Sequence, residues 1–294
     1  MAPYVITIYK RSVVMFKYGV QCAIEQLPER MPVVFRGPIA QSAEQAKQIG
    51  YDGLELYIHD PKDQDVAGLL SAAKDNGLEY CGICTGLEFI FNKLCLTSDD
   101  ASVRQAAVDR LKEHLDLGVQ LGCPVVVGTM RGHIPSSAHY KEYLGRLADG
   151  MAKLNEHAEN IGGELLIENI HQYVSNWLNT IPEVGDYVRS LGLSKVGLHI
   201  DTHSMHIEDT DPYNAVRNYK DVLKYVHFSD SNRWYPGGGV IDFKAYYHAL
   251  MDAEYNGYIT AEYQALPDAF TSAKLGYEYM KLMERAAEIE RLNR

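Results

Sequence analysis

The sequence predicts an α/β chain folded as a single (β/α)8 TIM barrel with an N-terminal extension, on three observations. Short apolar runs alternate with amphipathic stretches of helical spacing along most of its 294 residues. The runs are near-continuously apolar, as in Val125-Val126-Val127, which is how strands covered on both faces read. Four consecutive runs in the second half end on an ionisable residue: Leu165-Leu166-Ile167-Glu168, Val196-Gly197-Leu198-His199-Ile200-Asp201, Tyr225-Val226-His227 and Tyr258-Ile259-Thr260-Ala261-Glu262. These residues are 33, 26 and 35 positions apart, close to the roughly 31 residues per unit of an eight-unit barrel.

Taken in order, Tyr18 to Gln26 reads as the first strand and Gln41 to Ile49, with Ala43, Ala46 and Ile49 at helical spacing, as the helix after it. Gly53 to Asp60 is a strand, Asp65 to Asp75 a helix stopped by Asn76-Gly77, and Glu79 to Thr85 a strand. Ala101 to Leu121 is a long helix, preceded by the capping candidates Ser98, Asp99 and Asp100 and ended by Gly122. Pro124 to Thr129 is the fourth strand and Tyr140 to Ile161 its helix. The four strands with ionisable ends follow, separated by helices near 181–191, 213–222 and 243–253, and a last helix runs from about 270 to 292. No linker or internal repeat interrupts the series, so residues 1–294 are expected to form one domain. Residues 1–17 are the exception: Val5 to Tyr9 could be a strand, and we expect an arm or hairpin outside the barrel or across its base.

A formal charge of −11 argues against non-specific binding to nucleic acid, whose phosphates demand basic surface. The first residues lack the order of a signal peptide and no apolar run is long enough for a membrane span, so a cytoplasmic protein with no membrane partner is expected. Five cysteines suggest no disulfide framework. Cys81-Gly82-Ile83-Cys84 has the spelling of a redox or zinc motif. It lies in a strand, where positions three apart face opposite sides, and reads as two packed thiols.

Alternation sets the faces of the last strands. His199 and Asp201 share one face while Leu198 and Ile200 take the other, and Thr260 and Glu262 oppose Ile259 and Ala261. Glu168, Asp201, His227 and Glu262 are therefore expected on the barrel axis at the C-terminal rim, where the active sites of such barrels lie. Three carboxylates and an imidazole form a hard site for one divalent ion, Mn²⁺ foremost, with Mg²⁺ or Co²⁺ as alternatives. His199, one layer deeper, suits a hydrogen-bonded core or supporting histidine.

The stretches Ile167-Glu168, Asp201-Thr202-x-x-Met205-x-Ile207-Glu208, His227-Phe228-x-Asp230-Ser231-Asn232-Arg233-x-x-Pro236-Gly237-x-Gly239 and Glu262 resemble the signature of xylose-isomerase-like sugar epimerases. The nearest branches are the D-tagatose and D-psicose 3-epimerases and the 5-keto-L-gluconate epimerases. Cys84-Thr85-Gly86, Leu94-Cys95-Leu96-Thr97 and Gly128-Thr129-Met130-Arg131-Gly132 resemble the latter, and the likeness covers roughly residues 18 to 266. It implies a metal ion on Glu168, Asp201, His227 and Glu262, with Glu168 and Glu262 as acid and base on opposite faces of a small keto-sugar or keto-sugar acid and Arg233 on a substrate oxygen. A homo-oligomer joined through barrel helices is also implied, and Tyr277 to Tyr279 would suit its interface.

Two departures from that pattern bear on substrate. Val174 stands where the epimerases carry a polar glutamate, and Ser204 where they carry a substrate-contacting histidine. His133, His171, His203 and His206 are new on the rim, and imidazole titrates near neutral pH, so an acid, base or substrate contact is expected among them. Trp234 could wall a sugar ring or an aromatic aglycone. Three other functions are weighed against the epimerase or isomerase. One is a lyase on a keto-sugar, like inosose dehydratases or the 3-keto-C-glycoside-cleaving enzymes, where a small second subunit is expected. Another is a nuclease like endonuclease IV, which gathers a larger histidine-rich set for three zinc ions. The last is a non-catalytic metal-binding protein, which four retained ligands argue against.

Overall fold

The computed structural model describes residues 16–28 and 30–293. Its strands are β1 (Lys17–Ala23), β2 (Phe35–Arg36), β3 (Gly53–Tyr57), β4 (Glu79–Cys84), β5 (Val125–Val127), β6 (Leu165–Glu168), β7 (Val196–Asp201), β8 (Leu223–Phe228) and β9 (Tyr258–Ala261). Its helices are α1 (Ile39–Ile49), α2 (Val66–Asn76), α3 (Gly86–Asn92), α4 (Ala101–Leu121), α5 (Tyr140–Ile161), α6 (Ile181–Leu191), α7 (Thr202–Glu208), α8 (Pro212–Asn218), α9 (Phe243–Asp252) and α10 (Ala269–Leu292). Strands β1 and β3 through β9 pair in parallel in chain order, and β9 returns to β1 with Lys17 opposite Tyr258, so the ring closes. The two-residue β2 pairs with Cys22 and Ala23 at the end of β1. Among the described residues no helix is long and apolar enough to cross a membrane.

Local chemistry sets the ends of the helices. Asp65 and Asp100 accept from backbone N–H groups in the first turns of α2 and α4, and Gly77 and Gly122 end those helices at φ 62° and 74°, where a side chain would be strained. Thr180 and Glu183 make a reciprocal capping box at α6. The sequence reading named neither α3 nor α7; both are short helices set into loops at the C-terminal rim.

Leu198, Ile200, Ile259 and Ala261 pack outward into the strand–helix core, as alternation requires, while a smaller cluster of Cys81, Cys84, Val126, Leu166 and Tyr225 fills the barrel interior. Both thiols of Cys81-Gly-Ile-Cys84 are free and buried as expected, but they share a face. The reason is a bulge: Leu54 pairs with Tyr80 and Glu55 with Gly82, so Cys81 is an extra residue that resets the alternation.

The N-terminal expectation needs one correction, since Lys17 begins the first barrel strand and Phe16 is buried against Tyr247 and Tyr255; residues 1–15 lie outside the described residues. Tyr277 and Tyr279 each rest one side of the ring on their own barrel. Tyr277 packs on Tyr51 and Tyr18, and Tyr279 on Phe243, and both rings stay half-buried in this single chain.

At Gly185 in α6 an added Cβ would stand 2.2 Å from the Tyr219 ring. Arg189 and Asp186 hold that ring by a cation–π contact and a hydrogen bond. Gly185→Ala is therefore expected to destabilise by about 1–3 kcal/mol, overriding the helix preference of alanine. A thermal midpoint at or above the parent's would show that Tyr219 yields freely.

Candidate metal centre at the barrel mouth

Each of Glu168, Asp201, His227 and Glu262 places a ligand-capable atom within 4.8 Å of those of the other three, at the C-terminal ends of β6 to β9. Asp201 and His227 are fully buried and Glu262 nearly so. His227 Nδ1 stands 3.2 Å from Glu262 Oε2 and 3.9 Å from Glu168 Oε1. On the other side of the ring, Nε2 lies 2.9 and 3.0 Å from the two oxygens of Glu55.

That arrangement can be tested against a cation. With the Nε2 proton facing Glu55, Nδ1 turns a lone pair toward carboxylates, and it makes no hydrogen bond there. Burial pushes the ring's basicity down, but the Glu55 and Glu262 carboxylates pull it well above the ordinary histidine range. A positive charge, proton or cation, is thus favoured between Nδ1 and the carboxylates. Burial and the Glu262 carboxylate push Glu168 up to about 8. Asp201 is held well below the ordinary range because Arg233 and His227 outweigh burial. Oxygen donors with one imidazole fit a hard divalent ion.

Arg233 reaches this point from the loop after β8. Asp230 shapes that loop, accepting from the N–H groups of Ser231, Gly237 and Ile241 at 2.8, 2.9 and 3.1 Å. Arg233 itself has φ 61°, uncommon for a side-chain-bearing residue. Its Nη1 donates to Asp201 Oδ2 at 2.5 Å and to Ser229 Oγ at 3.1 Å, while Nη2 donates to Glu262 Oε2. Its guanidinium therefore sits against two of the four clustered residues, with two N–H donors unused by these bonds.

The other rim residues divide. His171 and His203 meet edge to face at 5.2 Å. Burial and the Arg233 charge push both below the ordinary histidine range, His171 to about 4. Ser204 is buried; its Oγ accepts from the His171 N–H at 3.3 Å and its own N–H donates to Asp201 Oδ1 at 2.8 Å. His133 is engaged elsewhere: Nε2 is 2.8 Å from the Val174 carbonyl oxygen and its ring packs on Phe89, which ties two loops together. Trp234 is 40% exposed and His206 is exposed. His199 lies below, its ring 4.1 Å from that of His227, and neither of its nitrogens has a hydrogen-bond partner among the described residues.

Several residues of the site escaped sequence reasoning. Glu55 is fully buried in mid-strand, and Gln21 donates to it at 2.9 Å. A charge between Leu54 and Leu56 in an apolar run was the available signal. Arg131 is also fully buried, donating to the Glu168 and Leu178 carbonyls, the Trp177 carbonyl and Ser175 Oγ, which fixes the loop after β6. Asn169 Oδ1 accepts from the Asp201 N–H at 2.8 Å and steadies the end of that strand.

A family profile described as Xylose isomerase-like TIM barrel matches residues 43–283. The chain is 28% identical over 233 residues to a ketose 3-epimerase of Arthrobacter globiformis, covering 76% of this chain and 77% of that one. It is 32% identical over 211 residues to an L-ribulose 3-epimerase of Mesorhizobium japonicum, covering 71% and 70%. Among solved structures, a 3-keto-D-glucoside 4-epimerase of E. coli superposes with a TM-score of 0.75 at 22% identity, over 92% of this chain and all of that one.

Proposed function

The chain belongs to the xylose isomerase-like TIM barrel family, and from that premise we propose that it is a divalent-metal-dependent epimerase or isomerase of a keto-sugar or keto-sugar acid. The convergence of Glu168, Asp201, His227 and Glu262 around the bare Nδ1 of His227 carries the reading. Related chains named as ketose and L-ribulose 3-epimerases support the substrate class.

In this reading the four residues hold one ion, Mn²⁺ by preference. The bound ion would supply Lewis acidity, lowering the cost of negative charge on a ketone oxygen when the neighbouring C–H is broken. The chain supplies the proton carriers. Glu168 on β6 and Glu262 after β9 are three strands apart in a ring of eight, so they face a centrally bound substrate from different sides. One carboxylate takes the proton from one face and the other returns one to the opposite face, which inverts the carbon. Arg233, anchored through Asp201 and Glu262, turns its remaining donors to a substrate oxygen. His171, His203, Ser204 and Trp234 line the approach as neutral contacts. Removing the ion by mild chelation should release about one equivalent per chain together with turnover of the keto-sugars tested, and Mn²⁺ should restore it. Full activity in a protein shown to be metal-free would overturn the proposal.

Val174 and Ser204, in place of polar sugar-reading groups, keep a keto-sugar lyase as the second reading. Its natural acid or base would be His133, but that ring is bonded to the Val174 carbonyl oxygen. His133→Ala is accordingly expected to keep turnover well within one order of magnitude of the parent. A loss of about 10²-fold or more, with release of a dehydrated sugar or an aglycone, would favour the lyase.

A further inference from the structure

We propose that Glu55 is a positioning residue that fixes which nitrogen of His227 is offered to a divalent ion and that sets the affinity of the site; the inference rests on the metal reading above. Glu55 stands on β3 and reaches across the barrel axis to β8. Its carboxylate is fully buried, with hydrogen bonds to His227 Nε2 and Gln21 Nε2 and the buried Cys84 thiol beside it. No lysine or arginine donates to it among the described residues. An ionised carboxylate taken out of water without a cation is costly. Positive charge at Nδ1, on the far side of the same ring, would offset that cost by polarising the Nε2–H toward Glu55. The reverse also holds: Glu55 anchors the Nε2 proton, keeps the Nδ1 lone pair turned to the carboxylates and makes the ring a stronger donor to an ion.

The same network reaches one of the two proposed proton carriers. Gln21 Nε2 lies 2.9 Å from Glu55 Oε2 and 3.3 Å from Glu262 Oε1. One amide therefore holds the carboxylate behind the histidine and the carboxylate beside the ion in register. A role confined to stability would predict something different, a Glu55→Gln protein that melts earlier yet binds the ion as tightly as the parent.

Glu55→Gln, compared with the parent after chelation, provides the test. Mn²⁺ is titrated into each protein while the spin-resonance signal of the free ion is followed, and the metal-free thermal midpoints are measured beside it. We expect the parent to take up one ion and Glu55→Gln to bind it about 10- to 100-fold more weakly at a temperature where the metal-free variant is folded. Binding as tight as the parent's would overturn the role of Glu55 and leave the metal centre standing. A parent that takes up no ion would overturn both. Should the variant fail to fold, the parent loaded with diamagnetic Zn²⁺ and labelled with ¹⁵N-histidine answers the same question. His227 should carry its proton on Nε2 and none on Nδ1; a proton on Nδ1 would refute the assignment.

Discussion

Glu262→Gln is expected to lose keto-sugar turnover by about 10²- to 10⁴-fold, the range for removing a positioned proton carrier. The substitution keeps the shape of the side chain and an oxygen for Arg233 or Gln21, so it tests the charge and the proton-accepting oxygen. Glu262 Oε2 lies 3.2 Å from His227 Nδ1 and also accepts from Arg233, while Oε1 accepts from Gln21. An amide in that place cannot take a proton and would turn an N–H₂ toward at least one donor. Circular dichroism should match the parent, and saturating Mn²⁺ should not rescue the rate. Parent-like turnover would exclude Glu262 as acid or base.

Asp201→Asn is expected to act at an earlier stage, on the fold around the site and on retention of the ion. Asp201 is fully buried at the end of β7; its Oδ2 receives Arg233, its Oδ1 receives the Ser204 N–H that starts α7, and its own N–H is held by Asn169. An asparagine can accept on one side only, so its amide hydrogens would oppose Arg233 or Ser204. Breaking a buried ion pair in this way costs about 3–5 kcal/mol. Elemental analysis should find the variant metal-poor, a chemical melt should show the lost stability, and turnover should fall below detection. A variant that retains one ion and the parent's rate would remove Asp201 from the centre.

What was legible in the sequence follows from the period of the barrel. Each apolar run is short, its alternation has period two, and a polar residue at its end stands out, so Glu168, Asp201, His227 and Glu262 could be placed on one rim from spacing alone. Helix stops at Gly77 and Gly122 were equally plain, because left-handed backbone favours glycine. Two kinds of feature were hidden. The bulge at Cys81 adds one residue to a strand without any mark in composition, and it reversed the facing of a thiol. The supporting shell was hidden for a different reason. Glu55 and Gln21 act through partners 172 and 241 residues away, and beyond the lone charge between Leu54 and Leu56 nothing local marks such pairs. The rim histidines show the same limit. His133 and His171 look alike in sequence, yet one is spent on a neighbouring loop carbonyl and the other stands beside His203 and Arg233.

The central claim, that the chain inverts a carbon next to a ketone by taking a proton from one face and delivering another to the opposite face, is tested most directly by turnover in D₂O. Ketoses, keto-sugar acids and 3-keto-glycosides are incubated with the Mn²⁺-loaded protein, and the products are read by NMR and mass spectrometry. The account predicts an epimer that keeps its full carbon skeleton and every oxygen, carries deuterium at the inverted carbon, and ceases to form when the ion is chelated. A product that has lost water or an aglycone, or an epimer formed without deuterium, would contradict it.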